Sequence, residues 1–283
     1  MANLSALKGE IQAITDIGKI TNAMQLVAAA KLRRVGKKIV ETHEYVAEVY
    51  SVFNEIIKQT QDSIFLLKPG QEIKKTLWVV VNSNLGLAGG YNSNVNKMVF
   101  PKLKPNDEIF AIGSKAVSFY KNRKVKIRAS LTNVDINFTS LDAQNLGQRI
   151  MEYYTNNEFD QIQLAYTKFV NNATFQPTTL VLFPIEKDET VKKTIQAEIQ
   201  FEPSAELILE TTVNLYLNTV LFGTIIESQV SEQASRRMAM ENATKNGNGL
   251  IHDLSIKYNR ERQSAITQEI NEIVSGANAQ NDK

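Results

Sequence analysis

Few side chains in this 283-residue chain could do chemistry, and they are scattered. One loop has the look of a phosphate cradle: Asn82-Ser83-Asn84-Leu85-Gly86-Leu87-Ala88-Gly89-Gly90, directly after the apolar run Leu77-Trp78-Val79-Val80-Val81. Such a cradle needs a G-x-G-x-x-G spacing or the lysine and hydroxyl of G-x-x-x-x-G-K-[ST]. Neither pattern is here, so the loop reads as a tight turn with close backbone packing. The only two histidines, His43 and His252, are expected on helix surfaces, and two ligands do not make a metal site. With no cysteine, thiolate chemistry, disulfides and cysteine-based zinc sites are excluded, which fits a reducing compartment. No Ser/His/Asp arrangement and no paired acids emerge. Catalytic residues, cofactor and metal are all expected to be none.

What the chain has in quantity is helix. Apolar residues recur at steps of three and four over residues 4–57: Leu4, Leu7, Ile11, Ile14, Ile17, Ile20, Met24 and Val27, then Val35, Ile39, Val46, Val49, Phe53 and Ile56. A second pattern covers residues 206–274. Patterns well beyond 25 residues suggest a coiled coil or similar extended helix, and at 1.5 Å per residue these would be on the order of 80 and 100 Å long. Packing the two stripes together makes them antiparallel, with residue 57 near 207 and Leu4 near 260. The tail beyond about 261 then has no partner within the chain, although Ile266, Ile270, Ile273 and Val274 keep an apolar stripe. In the second pattern, residues 227–248 are unusually polar on the seam, with Gln229, Gln233 and Asn242. Asn246-Gly247-Asn248-Gly249 reads as an irregular hinge, because helix-interior glycine costs about 1 kcal/mol against alanine.

Between the helices the period changes. Strands are expected at 77–81, 108–112, 125–128, 161–170 and 179–184, and helices at 91–100, 114–121 and 141–156. Phe175-Gln176-Pro177 reads as a turn, and residues 186–203 as a connector. Strands alternating with helices imply a mainly parallel sheet covered by helices. The fold class is α/β: a long antiparallel N- and C-terminal helical coiled coil (residues 1–60 and 206–283) with a central Rossmann-like domain (75–200). Net charge is +2, so the total argues for neither nucleic acid nor an anionic membrane. No run of 18 apolar residues exists to span a bilayer, and the N-terminus lacks a signal or transit pattern. A soluble chain is expected, with no direct membrane insertion.

Four segments carry a family resemblance across the chain. Lys19-Ile20-Thr21-Asn22-Ala23-Met24-Gln25-Leu26-Val27-Ala28-Ala29-Ala30-Lys31-Leu32-Arg33-Arg34 follows K-I-T-x-A-M-x-x-V-A-A-x-K-L-R-R. The others are Gly86-Leu87-Ala88-Gly89-Gly90-Tyr91-Asn92, the run from Ser231 to Thr244, and the tail from Tyr258 to Ala277. Together they resemble the gamma subunit of F-type rotary ATP synthases. Departures are Asn22 where lysine is common, Ala88 for a usual cysteine, and the doubled glycine at Gly247 and Gly249.

The resemblance implies a central rotor shaft coupling ATP synthesis or hydrolysis to rotation and proton transport. It would turn inside three alpha and three beta subunits, with the chemistry on beta and no ATP hydrolysis by this chain alone. The epsilon subunit and the membrane ring would bind its foot, placing it peripherally at the cytoplasmic face of a bacterial cell membrane. Lys31, Arg33, Arg34, Lys37, Arg236 and Arg237 would form a basic collar facing beta. Arg262, Gln263, Thr267, Glu269 and Glu272 would contact surrounding subunits, and Ile266, Ile270, Ile273 and Val274 would form an apolar bearing. Alternatives are the shaft of a related motor coupled to something other than a proton-conducting ring, a static coiled-coil scaffold, and a nucleotide-binding enzyme with helical arms. The polar, glycine-containing centre of the second helix opposes the scaffold, and the missing phosphate motif opposes the enzyme.

Overall fold

The computed structural model describes residues 2–60, 62–171, 173–186, 201–202 and 204–281. Its contacts divide the chain into two compact units, Met1–Val27 with Arg237–Lys283, and Ala28–Arg236. Two helices run through both: α1 (Ala2–Gln59) and α5 (Ala205–Asn281). No helix is long and apolar enough, among the described residues, to cross a membrane.

In the first unit α1 and α5 pack antiparallel. Thr21 Oγ1 meets Thr244 Oγ1 at 2.7 Å, and a Cβ on Gly247 would lie 3.7 Å from the Ile14 side chain. The covered positions on α1 include Leu4, Leu7, Ile11, Ile14, Gly18, Thr21 and Gln25, alternating by three and four, with Thr15 and Met24 half-buried beside them. That seam keeps Met24 but corrects the rest of this unit's expected stripe beyond Ile14. Ile17, Ile20 and Val27 are exposed, because the 3.5-residue seam passes one position to their C-terminal side. The expected hinge is corrected too. Residues 246–249 stay helical within α5, and Gly247 serves as a place where Ile14 can approach.

The second unit is built on one five-stranded sheet, ordered β3-β2-β1-β4-β5. Its strands are β1 (Thr76–Val81), β2 (Glu108–Ile112), β3 (Ile127–Leu131), β4 (Gln161–Asn171) and β5 (Thr174–Phe183). β1 pairs in parallel with β2 and β4, β2 with β3 likewise, and β5 closes an antiparallel hairpin. Alternation along β1 divides the core. Trp78 and Val80 face α2 (Tyr91–Val99) and α3 (Ser114–Asn122), packing with Val95, Val99, Ala116 and Tyr120. Leu77, Val79 and Val81 face α4 (Ser140–Thr155) and the two long helices, with Leu146, Ile150, Phe53, Leu217 and Leu221. Here too α1 and α5 are antiparallel, Phe53 stacking on Tyr216 with ring centroids 4.0 Å apart.

The elements match the expected order with small shifts of their ends. One reading was wrong: Phe175-Gln176-Pro177 is no turn but part of β5. Pro177 pairs with Thr167, and a proline is tolerated because β5 is an edge strand. The hairpin turns instead near Asn171, whose Oδ1 accepts from the N–H groups of Ala173 and Thr174. Of the expected connector, 187–200 and 203 lie outside the described residues.

Candidate functional site

The sheet order puts the loop after β1 at a topological switch point, with β2 on one side and β4 on the other. In open α/β sheets the crevice at that point is where ligands bind. Here α5 occupies it. Ser228 Oγ lies 2.7 Å from the Tyr91 hydroxyl, and Glu227 Oε1 accepts from the Phe169 N–H at 3.2 Å. Further along, Ser231 Oγ donates to the Thr167 carbonyl at 3.2 Å, and Ser235 Oγ to the Ala88 carbonyl at 2.7 Å. Arg236 ends this ladder. It donates to Glu232 Oε1 at 2.6 Å and to the carbonyls of Leu85 and Gly86 at 3.2 and 3.4 Å.

The loop's polarity is thus the reverse of a phosphate cradle, which aims backbone N–H groups at an anion. Here the carbonyls of Leu85, Gly86 and Ala88 accept from the chain's own helix. The loop is held from behind by Asn84, which accepts from Ser114 N–H at 3.0 Å and donates to the Val134 carbonyl at 2.9 Å. Close packing at its root demands Gly113, with φ of 88° and no room for a Cβ, which would lie 2.1 Å from the Asn82 carbonyl oxygen.

Burial pushes the carboxyls of Glu227 and Glu232 upward. Arg236 and Lys31 oppose this at Glu232, and the Phe169 N–H and Lys168 oppose it at Glu227. The Tyr91 phenol is driven well above its ordinary value by burial, with Glu232 adding to the effect. Reasoning from sequence missed Ser228, Ser231, Glu232 and Ser235 as a set. The signal was the polar run on the seam of the second helix.

The expected basic collar does not hold together as a surface. Arg236 is buried at 6% exposure, its guanidinium committed to Glu232 and the loop, which removes it from the set. Arg33, Arg34 and Lys37 are exposed and Lys31 is half-buried. Arg34 donates to Asn137 Oδ1 at 3.0 Å, and Lys31 exerts its charge on Glu232. Arg237, in the other unit, is half-buried.

On the tail, Arg262, Gln263, Thr267, Glu269 and Glu272 are all exposed. Thr267 bonds back to the Gln263 carbonyl, and Glu272 accepts from Gln268. Ile266, Ile270, Ile273 and Val274 are 47–71% exposed on a helix that continues to Asn281. His43 and His252 are exposed helix residues.

Comparison with known proteins agrees along the whole length. A family model described as ATP synthase matches residues 3–280. The ATP synthase gamma chain of Mesoplasma florum is 63% identical over 279 residues, spanning 99% of both chains. That of Mycoplasma mycoides is 60% identical over 280 residues, spanning 99% of this chain and 100% of its own. Among solved structures, a chain of the Euglena gracilis mitochondrial ATP synthase in rotational state 3 shares the fold at a TM-score of 0.72. It does so at 19% identity, over 98% of this chain and 94% of that one.

Proposed function

Because this chain belongs to the family of ATP synthase gamma chains, we propose that it works as the central rotor shaft of an F-type ATP synthase. It couples ATP synthesis or hydrolysis on a surrounding ring of three alpha and three beta subunits to rotation and proton transport. The catalytic groups lie on beta, and this chain acts as a cam. The epsilon subunit and the membrane ring bind the α/β domain, holding the chain peripherally at a membrane.

The observation that carries the reading is the tail of α5. Ile266, Ile270, Ile273 and Val274 stand exposed on a continuous helix, and burying each is worth roughly 1.5–3 kcal/mol. A sleeve of alpha and beta subunits supplies that burial, and apolar contacts are non-directional, so they permit turning. Arg262, Gln263, Thr267, Glu269 and Glu272 provide polar contacts that differ with rotational angle. Arg33, Arg34 and Lys37, with Lys31 beside them, form the part of the collar that meets an acidic segment of beta, and Arg237 is a further contact residue on α5.

Co-expression with cognate alpha and beta subunits tests this. The full chain should co-purify at one copy per three alpha and three beta, and truncation from Arg262 should weaken assembly and torque. Truncation after Val274 should be nearly silent. A complex in which residues 262–274 stay open to solvent, or normal rotation without them, would defeat the reading.

A further inference from the structure

The near-neutral total hides a one-sided segment. Residues 97–128 hold nine basic and two acidic residues in a chain of net charge +2, so the remainder is net acidic. The fold gathers most of these cations. Helices covering a parallel sheet run back against its strands, so helix ends and strand beginnings share one edge. Lys97 and Lys121 sit in the last turns of α2 and α3, and Lys102 in the 3-10 turn Phe100–Lys102. Arg123 and Lys124 lead into β3. Arg123 lies over the Phe119 ring at 3.6 Å and the Phe100 ring at 5.6 Å, tying these turns together.

Among the described residues, the acids beside these cations are already engaged. Asp107 is buried and accepts from Thr76 N–H, Trp78 Nε1–H and Lys104 N–H. Glu108 is buried between Lys75 and Lys126, at 2.9 and 2.8 Å. Glu72 pairs with Lys74, Glu158 with Arg128, and Asp160 accepts two backbone N–H groups. Lys97, Lys102, Lys121, Arg123 and Lys124 are exposed, and none forms a salt bridge among the described residues.

The character of the patch selects its partner. Protein interfaces are enriched in arginine and aromatics and depleted in lysine. Four of these five cations are lysines, mobile point charges rather than rigid forks. Such a cluster suits a diffuse anionic surface, as polybasic segments beside bilayers do. We propose that this edge of the α/β domain docks onto a bilayer through anionic phospholipid headgroups. Only its setting, beside a membrane ring, rests on the rotor reading; the binding itself does not.

The test uses the purified full chain, sedimented with vesicles of phosphatidylcholine alone or mixed with phosphatidylglycerol. Binding is expected only to the mixed vesicles at about 0.1 M salt, and should vanish at about 1 M, where the Debye length falls from about 10 to 3 Å. Reversing Lys102, Lys121, Arg123 and Lys124 to glutamate should weaken partition by on the order of a thousandfold. Reversing Lys8, Lys245, Lys257 and Arg260, equal in charge but in the other unit, should leave it intact, with melting curves confirming that both variants fold. Equal binding to neutral vesicles, or equal loss in the two variants, overturns the proposal. So does shielding of the edge lysines from acetylation in a lipid-free complex, which would assign the edge to an acidic protein. Assembly with alpha and beta, measured alongside, separates failure of this proposal from failure of the rotor reading.

Discussion

Two stretches of α5 invert the usual relation between polarity and burial. Between residues 227 and 236 the helix buries Glu227, Ser228, Gln229, Ser231, Gln233, Ser235 and Arg236. Beyond 265 it exposes Ile266, Ile270, Ile273 and Val274. In the first stretch Glu227, Ser228, Gln229, Ser231, Ser235 and Arg236 each bond to the sheet, its loops or α2, which offsets the cost of leaving water. In the second, nothing among the described residues covers the apolar side chains. One helix therefore serves two purposes. Residues 227–236 are locked to the α/β domain by directional bonds, and the end of the helix presents an apolar, non-directional surface.

The comparison breaks most severely at Arg236. Replacing it with alanine leaves half-buried Glu232 without its paired guanidinium, and the Leu85 and Gly86 carbonyls without their donor; loss of a buried partner typically costs about 3–5 kcal/mol. Urea unfolding of the variant at neutral pH measures this, and a loss under about 1 kcal/mol would mean the ladder is ornamental. Next comes Ser228→Ala, which strands the buried Tyr91 hydroxyl and should cost about 1–3 kcal/mol. The double variant with Tyr91→Phe should recover the part owed to that pair, while the Thr167 N–H, which also reaches Ser228 Oγ at 3.5 Å, stays without it. Additive losses would show that Ser228 acts by some other contact.

Gly247→Ala sharpens the picture from the other side. A Cβ there would meet only Ile14 at an ordinary 3.7 Å, so the helix should gain about 0.5–1 kcal/mol. A melting temperature that falls instead would revive the hinge. The smallest effect on the isolated chain belongs to the tail. Changing Ile266, Ile270 and Ile273 together to serine should alter its unfolding free energy by no more than about 0.5 kcal/mol, while weakening assembly with alpha and beta. Clear destabilisation of the isolated chain would mean the stripe already has an internal partner.

Helix existence, the succession of strands and helices along the chain, and the antiparallel pairing of the ends were all legible in the residues. Residue 57 was expected near 207 and Leu4 near 260, and Thr21 does face Thr244. Which apolar residues line the seam was less so. Ile17 and Ile20 are as apolar as Ile11 and Ile14, but a heptad seam selects one phase among overlapping stripes, and small Gly18 and Thr21 occupy it. The β5 edge escaped notice because Pro177 reads locally as a turn; only its place at the end of the sheet makes it acceptable there.

By itself the sequence determined what local geometry controls: two very long helices from their periodicity, an alternating α/β domain between them, no phosphate motif, and a family from four matching segments. The tertiary structure decided what depends on residues distant in the chain. Ser235 and Ala88 are 147 positions apart, so no periodicity could tell that the polar run of α5 fills the crevice of the sheet. Nor could it tell that Arg236 belongs inside while Arg33 stays on the surface. Both are arginines on amphipathic helices, and a buried guanidinium is stable only where acceptors from other elements converge on it.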